Sequence, residues 1–166
     1  MIWDIVQLTK QHDRTAFHCN VPRLDAFLHK YAMQYEKRNL GRTYVLVQDA
    51  QPRVFGYYTL AVGGISKEYL PVEAAKKLPD HPVPYALIGR LALDQSVQGQ
   101  GLGRKLIANA IARCVKASEN VGIHSVFVDA IDDAAAAFYL KQGFLQLPNQ
   151  PHQLFMTIET AVRSAR

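Results

Sequence analysis

The chain has 166 residues, of which 49% are hydrophobic and 20% charged. That is the length of one domain and a balance that builds a core, which excludes a disordered chain. The formal net charge is +5 and the pI about 9.3, which favours polyanionic partners such as RNA, an acidic protein or a phosphorylated cofactor without choosing among them. Cys19 and Cys114 lie too far apart in sequence to suggest a disulfide framework or a metal site, and the scattered histidines form no ligand motif. No stretch approaches the ~18 apolar residues of a membrane span, and Met1-Ile2-Trp3-Asp4 does not begin a signal peptide. A cytoplasmic protein is expected.

In chain order, Ile5-Val6-Gln7-Leu8 reads as a short first strand. Asn20-Val21-Pro22 marks a helix start, with Asn20 as the capping side chain and Pro22 in the first turn. Leu24, Phe27, Leu28, Tyr31, Ala32 and Tyr35 then fall on one apolar stripe of that helix. Arg38 to Arg42 breaks it. Thr43–Val47 and Val54–Val62 are strands joined by a turn at Asp49-Ala50-Gln51-Pro52, an antiparallel hairpin. A short helical piece, Val72 to Leu78, is bracketed by Pro71 and Pro79, and Asp80 to Pro84 is a proline-fixed connector. Tyr85 to Leu93 is the central strand. A long amphipathic helix follows the glycines at 99, 101 and 103, with Leu102, Leu106, Ile107, Ala110, Ile111, Cys114 and Val115 inward. Ser125 to Ala130 is a buried strand, Ala134 to Lys141 a helix closed by Gly143, and Phe144–Leu147 and Leu154–Ile158 the last two strands. Ala161 to Arg166 is a short basic tail. The expected fold class is α/β: a single domain over 1–166 with a mixed sheet, antiparallel in its N-terminal part and parallel around the central strand, flanked by helices.

Gln98-Gly99-Gln100-Gly101-Leu102-Gly103-Arg104 sits between the central strand and the long helix. The first-turn amides of a helix have no intrahelical acceptor and lie at the positive end of the helix dipole. Glycines let the backbone curl and let an anion approach. Strand, glycine turn and helix together suit a pyrophosphate. The Walker and dinucleotide-binding patterns are both absent. Gln98-x-x-Gly101-x-Gly103 instead resembles motif A of the GNAT N-acetyltransferases, which holds the pyrophosphate of acetyl-CoA. Ala136-Ala137-Phe138-Tyr139-Leu140-Lys141-Gln142-Gly143-Phe144 resembles motif B of the same family.

The resemblance implies roles for particular residues. Tyr139 would stand beside the thioester sulfur and protonate the departing CoA thiolate, since a phenol with a pKa near ~10 is a proton donor at neutral pH. Phe138 would contact the cofactor next to it. Leu91, Ala92 and Leu93 would present backbone amides to the pantetheine arm and the acetyl carbonyl, an oxyanion-type stabilisation. Gln98, Gly99, Gln100, Gly101, Leu102, Gly103 and Arg104 would hold the pyrophosphate, Arg104 by charge-assisted bonds. No acidic residue lies between Tyr85 and Leu93 to serve as general base. Asp94 is close to the phosphate end, and an aminoacyl ester, as a weakly basic amine, needs little help.

Further blocks resemble one branch of the family, the GNAT toxins of bacterial toxin–antitoxin pairs: Phe17-His18-Cys19 with Leu24-Asp25 and Phe27-Leu28, then Thr43-Tyr44-Val45, Gly56 to Leu60, and Ile88 to Asp94. With Gln98 to Gly103 and Ala137-Phe138-Tyr139 they span nearly the whole chain. The resemblance implies acetylation of the α-amino group of aminoacyl-tRNA as a translation-blocking toxin, acetyl-CoA as cofactor, a homodimer, a ribbon-helix-helix antitoxin and no membrane. Arg38, Arg42, Lys76, Lys77 and Arg90 would lie on the tRNA side, where phosphates call for cations. Arg90 sits mid-strand in an apolar run, where an unpaired charge is costly. It either pairs with a buried acid such as Asp129 or faces the substrate or the dimer partner. The alternatives are acetylation of a small-molecule amine or a protein N-terminus, and a GNAT fold that binds without chemistry.

Overall fold

The computed structural model describes residues 1–165; Arg166, the end of the expected basic tail, lies outside them. The strands are β1 (Trp3–Gln7), β2 (Arg42–Gln48), β3 (Gly56–Ile65), β4 (Val83–Leu93), β5 (Ser125–Asp129), β6 (Leu145–Leu147) and β7 (Gln150–Thr157). Among the described residues they form one mixed sheet in the order β1-β2-β3-β4-β5-β7-β6. The helices are α1 (Pro22–Ala26), α2 (Ala32–Lys37), α3 (Val72–Ala75), α4 (Leu102–Ser118), α5 (Asp133–Lys141) and α6 (Ile158–Ser164). The chain folds into two compact units, one of Met1–Ala61 with Gly89–Ala110, the other of Val62–Ile88 with the described chain from Ile111 onward.

The first unit contains the expected antiparallel pairing: β1 against β2 and β2 against β3, with Trp3 opposite Gln48 and Arg42 opposite Leu60. The β2–β3 turn places Asp49 and Ala50 at φ 52° and 58° and is closed by the Gln51 amide donating to the Gln48 carbonyl at 2.9 Å. Alternation along β2 buries Thr43 and Val45 while Arg42 and Tyr44 stay half-buried. Phe17, Leu28, Val45 and Tyr57 are among the most enclosed parts of the core here.

The first helix departs from the sequence reading in two ways. Asn20 is not its cap: it adopts φ 69°, and Val21 takes the cap position without a side-chain bond. Asp25 reaches back instead and accepts from the Cys19 amide at 2.9 Å. The second departure is a π turn, Phe27–Tyr31, between α1 and α2. A 3.6-residue period places Tyr31 on the apolar stripe; the wider turn rotates it out, so that it is 48% exposed while Ala32 is fully buried.

In the second unit β4 and β5 run parallel, Tyr85 against Ser125 through Ile88 against Val128. The ladder ends there, and β4 continues to Leu93. Parallel strands covered on both faces are apolar throughout, and Ser125, Val126, Phe127 and Val128 are all buried. β5 and β6 each pair antiparallel with β7. Helix α3 is shorter than expected, although the Leu78 amide still bonds the Ala75 carbonyl at 3.0 Å. Helix α5 starts on Asp132, which accepts from the Ala135 amide at 2.8 Å. The last strand ends at Thr157, which caps α6 by accepting from the Thr160 amide at 3.1 Å. The stretch read as a strand end and basic tail is thus largely helical, anchored by buried Ala161.

Candidate active site

The glycine turn takes the shape an anion cradle requires. Gly99 and Gly101 adopt φ 81° and 79°, values that L side chains rarely reach. A Cβ built on either would meet no atom within 4 Å, so the backbone there faces open space. Helix α4 begins at Leu102 and has no acidic residue in its first turn, so nothing offsets the positive end of its dipole. Gly103 lies inside that turn. Arg104 and Lys105 are exposed, and among the described residues Arg104 has no ion-pair partner. The Gln98 side chain closes the turn by donating to the Leu93 carbonyl at 3.0 Å and the Cys19 carbonyl at 3.5 Å. Gln100 is exposed and Leu102 is a core residue. Leu91 and Leu93 are half-buried on β4 and Ala92 is buried between them. These residues fit a pyrophosphate with an attached arm: an open, positive, glycine-lined backbone at the end of a strand.

In the second unit, Tyr139 lies on α5 with its ring 6% exposed, edge-on to Phe138 and Phe144 at centroid distances of 5.3 and 5.8 Å. The hydroxyl bonds to no described residue. Because no fully shielded side-chain nitrogen or oxygen among the described residues lacks a partner, that hydroxyl reaches the surface. Burial, and secondarily the charge of Asp129, pushes its pKa well above the ordinary phenol value. The group therefore stays protonated across the physiological range.

The five cations expected on a tRNA side differ in environment. Arg38 and Lys77 are exposed. Lys76 pairs with Glu73 at 3.1 Å. Arg42 is bound locally, to Asn39 Oδ1 at 2.6 Å and to the Glu36 carboxylate at 3.3 Å. Arg90 forms no ion pair among the described residues. Its guanidinium carbon lies 3.7 Å above the Phe27 ring centroid and 5.5 Å from that of Tyr35. The rings, rather than an acid such as Asp129, make its half-buried charge tolerable. Asp129 is exposed and accepts instead from Gln153 at 3.4 Å.

The sequence profile of the acetyltransferase (GNAT) family matches residues 8–144. The chain belongs to this family. It is 36% identical over 155 residues, covering 93% of this chain and 92% of the relative, to the "tRNA-acetylating toxin" of Mycobacterium tuberculosis. Among solved structures it is similar to AtaT complexed with acetyl-methionyl-tRNAfMet, with a TM-score of 0.92, 32% identity and coverage of 99% of this chain and 100% of that one. It is also similar to a tyrosine-to-phenylalanine mutant of AtaT bound to the C-terminus of the antitoxin AtaR and acetyl-CoA, with a TM-score of 0.84, 29% identity and 98% of each chain covered.

Within this GNAT chain Asp94, the acid that follows β4, is held on several sides. That carboxylate is 2% exposed and accepts from the Ser96 hydroxyl and amide and from the His18 amide, with Arg53 at 3.7 Å. Burial alone would raise its pKa, but these donors outweigh burial and hold it below the ordinary carboxylate value. Three hydrogen bonds tie it to the His18 and Ser96 segments. Sequence reasoning missed the group beside it. The Asp25 carboxylate holds the His18 ring nitrogen at 2.8 Å and the Cys19 amide at 2.9 Å, and the Gln95 amide donates to the His18 carbonyl at 2.8 Å. The available signal was an acid four residues past the helix cap, a position from which it can turn back onto the preceding loop. Among the described residues no group of three or more His, Cys, Asp or Glu side chains is placed to hold a metal ion, and no helix is long and apolar enough to cross a membrane.

Proposed function

We propose that this acetyltransferase moves the acetyl group of acetyl-CoA to the α-amino group of an aminoacyl-tRNA, and that it acts in the bacterial cytoplasm as the toxin of a toxin–antitoxin pair. The observation that carries the reading is the 36% identity, over 93% of the chain, to a tRNA-acetylating toxin. The likeness to AtaT in complex with an acetylated aminoacyl-tRNA supports it. By the likeness to AtaT bound to the C-terminus of the antitoxin AtaR, the partner is an antitoxin; its ribbon-helix-helix type and a homodimeric working form rest on the resemblance of the sequence blocks alone. The whole chain is read as one catalytic domain, because the family match runs from 8 to 144 through both compact units.

Acetyl-CoA supplies an activated acetyl thioester. The amides around Gly99, Gly101 and Gly103 would bind its pyrophosphate, with Arg104 adding a charge-assisted contact. Gln98 keeps the turn closed from within. The β4 backbone at Leu91, Ala92 and Leu93 would align the arm and polarise the carbonyl. As the α-amino nitrogen bonds to the acetyl carbon and the C–S bond breaks, Tyr139, kept protonated by burial, would donate its proton to the departing sulfur, and the proton shed by the amine would return to the phenolate, with Phe138 packing beside it. Arg38, Arg42, Lys76, Lys77 and Arg90 are assigned to the tRNA.

The test uses radiolabelled acetyl-CoA with total charged tRNA, followed by nuclease digestion. Label on one or a few aminoacyl adenosines is expected. Label on free amines or protein N-termini, with none on aminoacyl adenosine, would overturn the assignment. Expression in a bacterium without the antitoxin should arrest growth, and harmless expression of folded protein would remove the toxin role.

A further inference from the structure

We infer that Arg14 is a positioning residue: it holds the π turn Phe27–Tyr31 open, and the turn places Tyr35 against Arg90. Turns of this kind account for well under 1% of residues and occur mostly as single turns, frequently at functional sites. The Ala32 amide bonds the Phe27 carbonyl five residues back, a geometry that tilts neighbouring carbonyls outward. Arg14 Nη1 donates to the Leu28 carbonyl at 3.0 Å and reaches the His29 carbonyl at 3.5 Å. On the same turn, His29 Nε2 lies 3.0 Å from the Phe17 carbonyl. The loop carrying Arg14 is itself fixed. The Asp13 amide donates to the Pro52 carbonyl at 2.7 Å, the Val54 amide to the Asp13 carbonyl at 3.0 Å, and the Phe17 amide to the Arg14 carbonyl at 3.3 Å.

The consequence follows from helix geometry. In an unbroken α-helix each residue advances about 100°, so position 34 lies about 20° from position 27 around the axis, and position 35 about 80° away. A π turn delays the register by about one residue. Tyr35 then takes the place Gln34 would have had, edge-on to Phe27 at 5.0 Å. Arg90 thereby meets two rings instead of one. Its guanidinium makes no hydrogen bond to the described residues, so its N–H groups remain for an anion such as an acceptor phosphate. That last step rests on the proposed tRNA-acetylating function; the positioning of Arg90 does not.

The experiment uses the full chain in five variant forms: Arg14→Ala, Arg14→Lys, Arg90→Ala, a deletion of Lys30, an exposed residue of the turn, and that deletion combined with Arg14→Ala. Arg90 guanidinium protons lie over the Phe27 ring and carry an upfield NMR shift. Arg14→Ala is expected to move that signal toward the position of an exposed arginine, and Arg14→Lys to recover it in part. The KM for charged tRNA should rise roughly threefold to thirtyfold in Arg14→Ala, with acetyl-CoA affinity unchanged. Deleting Lys30 removes the extra residue, so an unbroken helix brings Tyr35 to the same place. In that background Arg14→Ala should leave the Arg90 signal where it is. An Arg90 signal unmoved by Arg14→Ala overturns the inference, and it does so even if the deletion fails to fold. A folded deletion form that still needs Arg14 overturns it too. If Arg90→Ala leaves the KM for charged tRNA unchanged while Arg14→Ala shifts the signal, the positioning stands and the tRNA role of Arg90 falls.

Discussion

Tyr57, in the first unit, and Tyr139, in the second, are both buried aromatic side chains packed against two phenylalanines. Tyr57 has no exposed surface and lies 5.5 Å from Phe17 and 6.1 Å from Phe27. Tyr139 packs against Phe138 and Phe144 at similar distances. Burial raises the pKa of both. They part at the hydroxyl. That of Tyr57 donates to the Leu24 carbonyl at 2.7 Å, and that of its neighbour Tyr58 to Asn109 Oδ1 at 2.6 Å. That of Tyr139 has no partner among the described residues. Burial and a raised pKa are common to both; hydrogen-bond completeness is where the proposed acid Tyr139 differs from Tyr57. A hydroxyl that reaches the surface without a protein partner can take its partner from a substrate.

The largest expected effect lies in neither aromatic cluster and serves as the reference for both. Gly101→Glu puts a Cβ at φ 79° and a negative charge where the pyrophosphate is proposed to sit. Acetyl-CoA binding by calorimetry should disappear. Saturable binding at near wild-type affinity would show that the cradle is elsewhere. Tyr139→Phe should do the opposite: keep acetyl-CoA affinity and lower turnover by about 10²–10⁴, the range of a positioned acid. Because the hydroxyl has no protein partner to lose, its melting temperature should hold. A mutant that melts lower and turns over normally would move Tyr139 to the structural side of the comparison.

Tyr57→Phe is the mirror experiment. It removes a completed bond to the Leu24 carbonyl, so stability should fall by about 1 kcal/mol and Tm by about 2–4 °C for a chain of this size. Turnover should stay within about twofold of the wild type. A large loss of turnover with unchanged melting would mean that hydrogen-bond completeness is not the criterion.

Much of this was legible in the sequence, and the limits have physical causes. The glycine turn, α4 and the Phe138–Tyr139 pair carry their chemistry in short spacings, and the structure holds each on the expected element. The π turn was not legible, because a 3.6-residue period assumes no extra residue; Tyr31 was assigned to the stripe for that reason and proved exposed. Helix α6 was hidden because one buried residue, Ala161, gives too weak a periodic signal beside basic neighbours. The rings around Arg90 were out of reach for another reason: Phe27 and Tyr35 lie more than fifty residues from it in sequence, and spacing reports only local neighbours. The hydroxyl bonds of Tyr57 and Tyr58 are equally non-local, so the distinction from Tyr139 exists only in three dimensions.

The smallest expected effect probes the proton on Tyr139 directly. After burial, the charge of Asp129 is the cause that lifts this pKa. A negative charge disfavours the phenolate, so removing it lowers the pKa, while burial still holds it above the ordinary value. With Tyr139 as the proposed acid, the protonated phenol is the active form, and activity is expected to be lost as pH rises through the folded-state pKa. Asp129→Asn should therefore shift the alkaline limb of the rate profile to lower pH and leave the rate near pH 7 unchanged. The shift should be small, because Asp129 is exposed and solvent and salt screen its charge; raising the salt should shrink the difference between mutant and wild type. Asparagine retains an oxygen to accept from Gln153, so the local hydrogen bonding need not change. A limb that stays fixed while Tyr139→Phe abolishes turnover would assign the alkaline limb to another group. A limb that moves to higher pH would contradict the sign of the Asp129 effect.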